Sequence, residues 1–138
     1  MRCIIIDSDS SSLEITESYL KKIEEIELIQ KFDHALDAIP LLNKGSIDLI
    51  LLDVDKHYLL GIDLAKKKRL KAQFILTISQ REFGLDAYKL NATDYLVKPI
   101  SLPSLKRAIC KAKKRCQSEQ TFSVNIFSAG PEYIKSNK

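Results

Sequence analysis

Four residues of this chain each stand at the end of a short apolar run: Asp7 after RCIII, Asp53 after LILL, Thr77 after FIL, and Lys98, followed by Pro99, after DYLV. Two carboxylates, a hydroxyl and an ammonium are the groups that phosphoryl chemistry uses. Carboxylates hold a divalent cation, while a lysine and a hydroxyl hold phosphoryl oxygens. In that set Asp53 is the candidate nucleophile, because a carboxylate can form an acyl phosphate. The chemistry requires the four groups to converge, and that depends on the elements that carry them.

Runs rich in β-branched residues read as strands at 2–6, 27–32, 47–53, 73–77 and 94–97. Helical patterns fall between them. Leu13, Thr16, Leu20 and Ile23 form one apolar stripe, and Leu36, Ile39 and Leu42 another. Residues 60–70, 81–90 and 101–116 read as three more helices, the last opened by Ser101 and Pro103. Strand and helix alternate, and right-handed crossovers turn such an order into a three-layer α/β/α sandwich with a parallel sheet. In a sheet of that kind the strand ends line up along one edge, where open α/β folds build their ligand sites. All four candidate residues lie at such ends.

The chain has 138 residues, 45% of them apolar, which suits one core with little left for a second domain. A net charge of +4, with both signs interspersed, is too modest to demand a nucleic-acid partner. The basic runs Lys66-Lys67-Lys68-Arg69 and Lys111 to Arg115 read as solvated helix faces. The apolar run before Asp7 is too short for a signal peptide or a membrane span, so no membrane partner is expected and the expected location is cytoplasmic. Cys3, Cys110 and Cys116 are odd in number and lack zinc-ligand spacing, as ordinary reduced thiols would. Composition changes only after residue 116, so the expected division is a domain over 1–116 and a linker, or the start of a further domain, over 117–138. There FSVNIF alternates like a strand and Gly130-Pro131 marks a turn.

The segment LILLDVDKHYLLG, the string FILTIS and the string LNATDYLVKPI together resemble the receiver domain of two-component response regulators, the CheY-like superfamily. TDYLVKPIS is similar in particular to receivers of LytTR-type regulators. The resemblance covers residues 1–116 and implies a flavodoxin-like five-stranded sheet of order 2-1-3-4-5. It implies that Asp53 accepts a phosphoryl group from a phosphohistidine of a sensor histidine kinase. Mg²⁺, or Mn²⁺, would be held by Asp7, Asp53 and the backbone carbonyl of Asp55. Lys98, aimed inward by a cis bond to Pro99, would pair with a phosphoryl oxygen, Thr77 would bond another, and Tyr95 would follow Thr77 as the switch. The message would appear on the face built from the helix at 81–90, the strand at 94–97 and the last helix. Weak homodimers would form through that face, using Arg81, Glu82, Asp86, Lys89, Asp94, Lys106 and Arg107. DNA would be bound only through an output domain beyond Lys138, since PEYIKSNK resembles the opening of a LytTR-type output domain.

The departures from the family pattern bear on activity. Receivers place two adjacent acids after the first strand, and here Ser8 stands at the second position. A unit charge pair at 4 Å is worth about 4 kcal/mol at an effective dielectric of 20, so the serine weakens the expected metal site. Asp9 would compensate if the backbone stayed extended, since strand side chains alternate. Lys56 and His57 replace the usual apolar residue and proline after the acceptor, and Ile78 replaces a small residue after the switch threonine. His57 and His34 read as surface histidines. Two other readings follow: a degenerate receiver acting as a phosphorylation-independent interaction module, and a haloacid-dehalogenase-type phosphatase using Asp7 as nucleophile and Asp9 as general acid. The second lacks the further acids that such an enzyme needs, for none occurs between Lys98 and Glu119. The protein is therefore expected to be a signalling domain whose only catalysis is on its own phosphorylation.

Overall fold

The structure, a computed structural model, describes residues 1–54, 71–79 and 92–129, with side chains through Gln117. The expected helices at 60–70 and 81–90 lie outside the described residues. So do Asp55, Lys56, His57, Arg81, Glu82, Asp86, Lys89 and the segment 131–138.

Five strands, β1 (Arg2–Ile6), β2 (Glu27–Phe32), β3 (Leu49–Asp53), β4 (Gln73–Ile78) and β5 (Asp94–Val97), form one sheet of order β2-β1-β3-β4-β5. Every pairing is parallel. Parallel strands are buried on both faces, and β3 and β4 are buried at every residue. The period of two then divides the apolar side chains between two cores. Ile4, Ile6, Ile50, Leu52, Phe74, Leu76 and Ile78 face one side, with Ala35, Ala38 and Leu42 of helix α2 (Ala35–Asn43). Cys3, Ile5, Leu49, Leu51, Ile75 and Leu96 face the other. Against them pack Leu20 of helix α1 (Ser10–Leu20) and Leu105, Ala108, Ile109 and Ala112 of helix α3 (Leu102–Ala129). The three layers and the strand order are those the sequence implied.

Two local expectations change. The inner stripe of α2 is Ala35, Ala38 and Leu42, while Leu36 is 61% exposed. Positions 35, 38 and 42 follow the helical repeat and pack into the core on that face of the sheet. Pro40 lies inside this helix and has no N–H to give to the carbonyl of Leu36. The second change is at the C-terminus, where FSVNIF is helical and continues α3 unbroken through Ala129. A nucleated helix extends at small cost per residue, and the sequence places no Gly or Pro between Ser104 and Ala129. The helix thus crosses the boundary expected at residue 116. Lys106 lines a groove with Lys22 and Glu25, two residues that follow α1 closely.

Helix α3 begins as its sequence reads: the Ser104 N–H donates to Ser101 Oγ at 3.2 Å and the Leu105 N–H to the Ser101 carbonyl at 3.0 Å. A buried polar junction then ties it to the sheet. Gln73 Nε2 donates to the Ala112 carbonyl at 2.8 Å, and Gln73 Oε1 accepts from Thr93 Oγ1 at 2.8 Å. Among the described residues, no helix is long and apolar enough to cross a membrane.

Candidate functional site

The parallel sheet carries β1 and β3 to the same edge, so Asp7 follows Ile6 directly and Asp53 ends β3. The Asp7 N–H donates to the Phe32 carbonyl at 2.9 Å, which extends the β1–β2 pairing by one residue and holds the carboxylate at the rim. Asp53 is in register with Thr77 on the neighbouring strand, and Thr77 in turn with Leu96. Asp7, Asp53 and Thr77 are 3%, 2% and 4% exposed. Buried carboxylates demand a partner, because an unpaired charge away from water is costly.

Lys98 is that partner. Its N–H donates to the Ile78 carbonyl at 2.7 Å, which places it just beyond the β4–β5 pairing, and the Lys98–Pro99 bond is cis. Its Nζ lies 3.2 Å from Asp7 Oδ2, 3.4 Å from Asp7 Oδ1 and 3.4 Å from Asp53 Oδ1. Burial works against the ammonium form, but the Asp53 and Asp7 carboxylates outweigh it and hold the Lys98 pKa above the ordinary lysine value. The lysine is therefore charged at neutral pH. Two carboxylates thus share one ammonium at this edge of the sheet.

In the structure Asp9 has a local task. It is the N-cap of α1, with an extended backbone (φ −92°, ψ 111°). Its Oδ1 accepts from the Ser11 N–H at 3.0 Å and the Ser12 N–H at 3.4 Å. Its own N–H donates to Asp7 Oδ1 at 2.9 Å, so it steadies the acidic residue through the backbone while its exposed side chain serves the helix. Asp directly before Ser10-Ser11-Ser12 is a helix-start signal in the sequence, but the same residue also suited an extended reading toward Asp7. Among the described residues, no three His, Cys, Asp or Glu side chains are grouped to hold a metal ion. Ser8, at the position of the second acid, has a buried Oγ with no hydrogen-bond partner among the described residues. The donors at hand are hard oxygens: two carboxylates and one neutral hydroxyl. Such a set fits Mg²⁺, which keeps several waters and needs only one or two carboxylates.

Tyr95 is half-buried, in register with Leu76, and packs against the α2-face core. Of the residues expected to pair copies, Asp94 is engaged within the chain, where its Oδ2 meets Lys111 Nζ at 3.1 Å. Arg107 reaches Ser104 at 3.5 Å. His34 precedes α2 at the surface, and Ile78 is fully buried in the α2-face core.

Comparison with known proteins agrees with this geometry. Residues 3–110 match the sequence model of the response regulator receiver domain. The chain is 31% identical over 117 residues to the sensory transduction protein LytR of Staphylococcus saprophyticus, spanning 83% of this chain and 46% of that protein. It is 28% identical over 126 residues to the transcriptional regulatory protein YpdB of Escherichia coli K12, spanning 89% of this chain and 52% of that one. The chain thus spans about half the length of the curated relatives it matches. Among solved structures, the response regulatory domain of protein mrkE from Klebsiella pneumoniae superposes with a TM-score of 0.75 at 20% identity, covering 86% of this chain and 99% of that one. The relatives agree with the resemblance of TDYLVKPIS to LytTR-type receivers. With the sheet order, the paired acids and the lysine in place, the chain belongs to the response regulator receiver domain family of two-component systems.

Proposed function

We propose that Asp53 is a phosphoacceptor, taking a phosphoryl group from the phosphohistidine of a sensor histidine kinase. The observation that carries this reading is the contact of one lysine with two buried carboxylates, 3.2 Å from Asp7 and 3.4 Å from Asp53, beside a threonine in register with the acceptor. An Asp53 oxygen attacks phosphorus, the P–N bond to histidine breaks, and the imidazole leaves with the electron pair. Lys98 can then exchange its Asp53 contact for a phosphoryl oxygen without leaving Asp7. The Thr77 hydroxyl, one strand away, donates to another oxygen, and Tyr95 follows it. Mg²⁺ bound by Asp7, Asp53 and the Asp55 carbonyl would neutralise the charge that the incoming phosphoryl oxygens carry. The result would be relayed along β5 and α3 to a DNA-binding output domain, a reading in keeping with a chain that spans about half the length of the curated relatives it matches. Three free cysteines accord with a cytoplasmic setting.

Acetyl phosphate and Mg²⁺ should add one phosphoryl group to the chain by intact mass, and Asp53→Ala should prevent it. A wild type that stays unmodified would favour the second reading, a receiver acting as a phosphorylation-independent interaction module. Two observations speak for that reading: Ser8 in place of an acid, and the Asp9 carboxylate committed to the helix cap. Pairing of copies through the β5 and α3 face belongs to the first reading. It would be weak, because Asp94 already has Lys111 as a partner.

A further inference from the structure

We infer that the exposed face of α3, with the residues that follow α1 beside it, is a contact surface for the phosphate backbone of a nucleic-acid duplex. The positive charge of the chain is gathered there. Between Leu102 and Gln117 the helix carries Lys106, Arg107, Lys111, Lys113, Lys114 and Arg115 and no acidic residue. These cations exceed the net charge of +4 of the whole chain, so the remaining residues are together net negative. The structure divides the basic set in two. Lys111 and Arg115 reach toward β5, where Lys111 Nζ meets Asp94 Oδ2 at 3.1 Å and Arg115 Nη1 donates to Thr93 Oγ1 at 3.1 Å. Lys106, Arg107, Lys113 and Lys114 are exposed, outside the buried stripe of Leu105, Ala108, Ile109 and Ala112. Lys22, just after α1, lines one groove with Lys106 and Lys113. Glu24 and Glu25 stand at the same groove, and Glu25 Oε1 lies 3.8 Å from Lys113 Nζ with both side chains about half exposed, a contact that solvent weakens.

The spacing suits a line of phosphates. Lys106 and Lys113 are seven residues apart, as are Arg107 and Lys114, so each pair shares one side of the helix with about 10.5 Å between its members along the axis. Two such rows side by side make a ridge of positive charge. A duplex carries one negative charge per about 1.7 Å of its axis, and cations set against it release condensed counterions. The same face lacks what other partners need. None of its exposed residues through Gln117 is leucine, isoleucine, phenylalanine or tyrosine, and Ile23 and Ile109 at the floor of the groove are only 6% and 2% exposed. A protein partner requires an apolar anchor at the centre of the contact, and a membrane surface requires an apolar helix face, which α3 has already buried against the sheet. Contacts to phosphate require charge and hydrogen-bond donors alone.

This inference goes beyond the phosphoacceptor reading and does not depend on it, so the test contains no phosphodonor. Binding of the full chain to a fluorescent DNA duplex of arbitrary sequence is followed by anisotropy between about 50 and 200 mM NaCl. With about four phosphates neutralised, log K should fall against log salt with a slope of roughly −3.6, a loss of about a hundred-fold over that range. Lys114→Gln should reduce the slope by about 1 and weaken binding at least three-fold, and together with Lys106→Gln and Arg107→Gln at least twenty-fold. Lys44→Gln makes the same change in net charge at the end of α2, on the other face of the sheet, and should bind within two-fold of wild type. Cys110 is exposed and lies between the two basic rows, so saturating duplex should slow its alkylation by iodoacetamide at least five-fold, and added salt should restore it. Poly-glutamate at equal charge concentration should compete at least ten-fold less well than unlabelled duplex. No binding at about 50 mM salt, a loss in Lys44→Gln as large as in Lys114→Gln, or unchanged alkylation of Cys110 overturns the inference. So does equal competition by poly-glutamate, which would assign the face to an acidic protein.

Discussion

Replacing Asp9 separates its two possible roles, helix cap and metal ligand, by stability and metal response together. Its Oδ1 makes one well-formed bond, from the Ser11 N–H at 3.0 Å, and one long bond, from the Ser12 N–H at 3.4 Å. Asp9→Ala removes both, and loss of one good cap costs about 1 kcal/mol within a range of roughly 0.5–2. The carboxylate also lies at the positive end of α1, where a negative charge contributes about 0.3–1 kcal/mol at an exposed site. The sum of about 1–2 kcal/mol corresponds to a fall in Tm of roughly 3–8 °C for a chain of this size. Asp9→Asn keeps the capping oxygen and loses only the charge, so its cost should stay below about 1 kcal/mol. Urea denaturation followed by far-ultraviolet circular dichroism reads these differences, with and without Mg²⁺. A cap predicts that added Mg²⁺ raises the urea midpoint equally in wild type and both variants. The reasoning fails if Asp9→Ala leaves the midpoint unchanged. It fails also if Asp9→Asn is as damaging as Asp9→Ala and both variants lose a stabilisation by Mg²⁺ that the wild type has.

Two further outcomes follow from burial. Cys110 is exposed, Cys116 is partly buried, and burial pushes the Cys3 thiol up to about 12, so a thiol reagent at pH 8 should modify Cys110 first and Cys3 only on unfolding. Because the Cys3 pKa is raised from 9.0 on folding, the unfolded chain ionises first. Its share of stability is unaffected below pH 9 and is lost as pH climbs from 9 toward 12. The raised Lys98 pKa acts in the same alkaline direction, its contribution being fully present below the unfolded lysine value of 10.5 and lost above it. Urea midpoints should therefore fall above pH 9, and a midpoint constant to pH 11 would refute this. In α2, Leu42→Ala should cost about 2–5 kcal/mol and Leu36→Ser less than about 0.5, measured by the same denaturation. Equal costs would mean that the helix presents a different face.

Much of this protein is determined by its sequence alone, and the reason is one-dimensional. Strands with a period of two, separated by helical stripes, must bury both faces of a parallel sheet, and their ends must then share an edge. That logic brings Asp7, Asp53, Thr77 and Lys98 together with no knowledge of coordinates, and the strings around them are specific enough to carry the family. Whatever depended on the direction of a side chain beyond a strand end was not legible in that way. Asp9 could be extended toward the acidic pair or turned to cap α1, and only the backbone angles at the end of β1 chose the cap. Leu36 obeys the helical period as well as Ala35 does, and only the way α2 is set on the sheet decided which of them is buried. The strand pattern of FSVNIF gave way to continuation of α3, because helix propagation is local whereas a strand requires a pairing edge. Nor could spacing show that one ammonium would span both carboxylates. That contact joins residues 91 positions apart in the chain, and it exists because Lys98 follows β5 and Asp7 follows β1 at the same rim of the sheet.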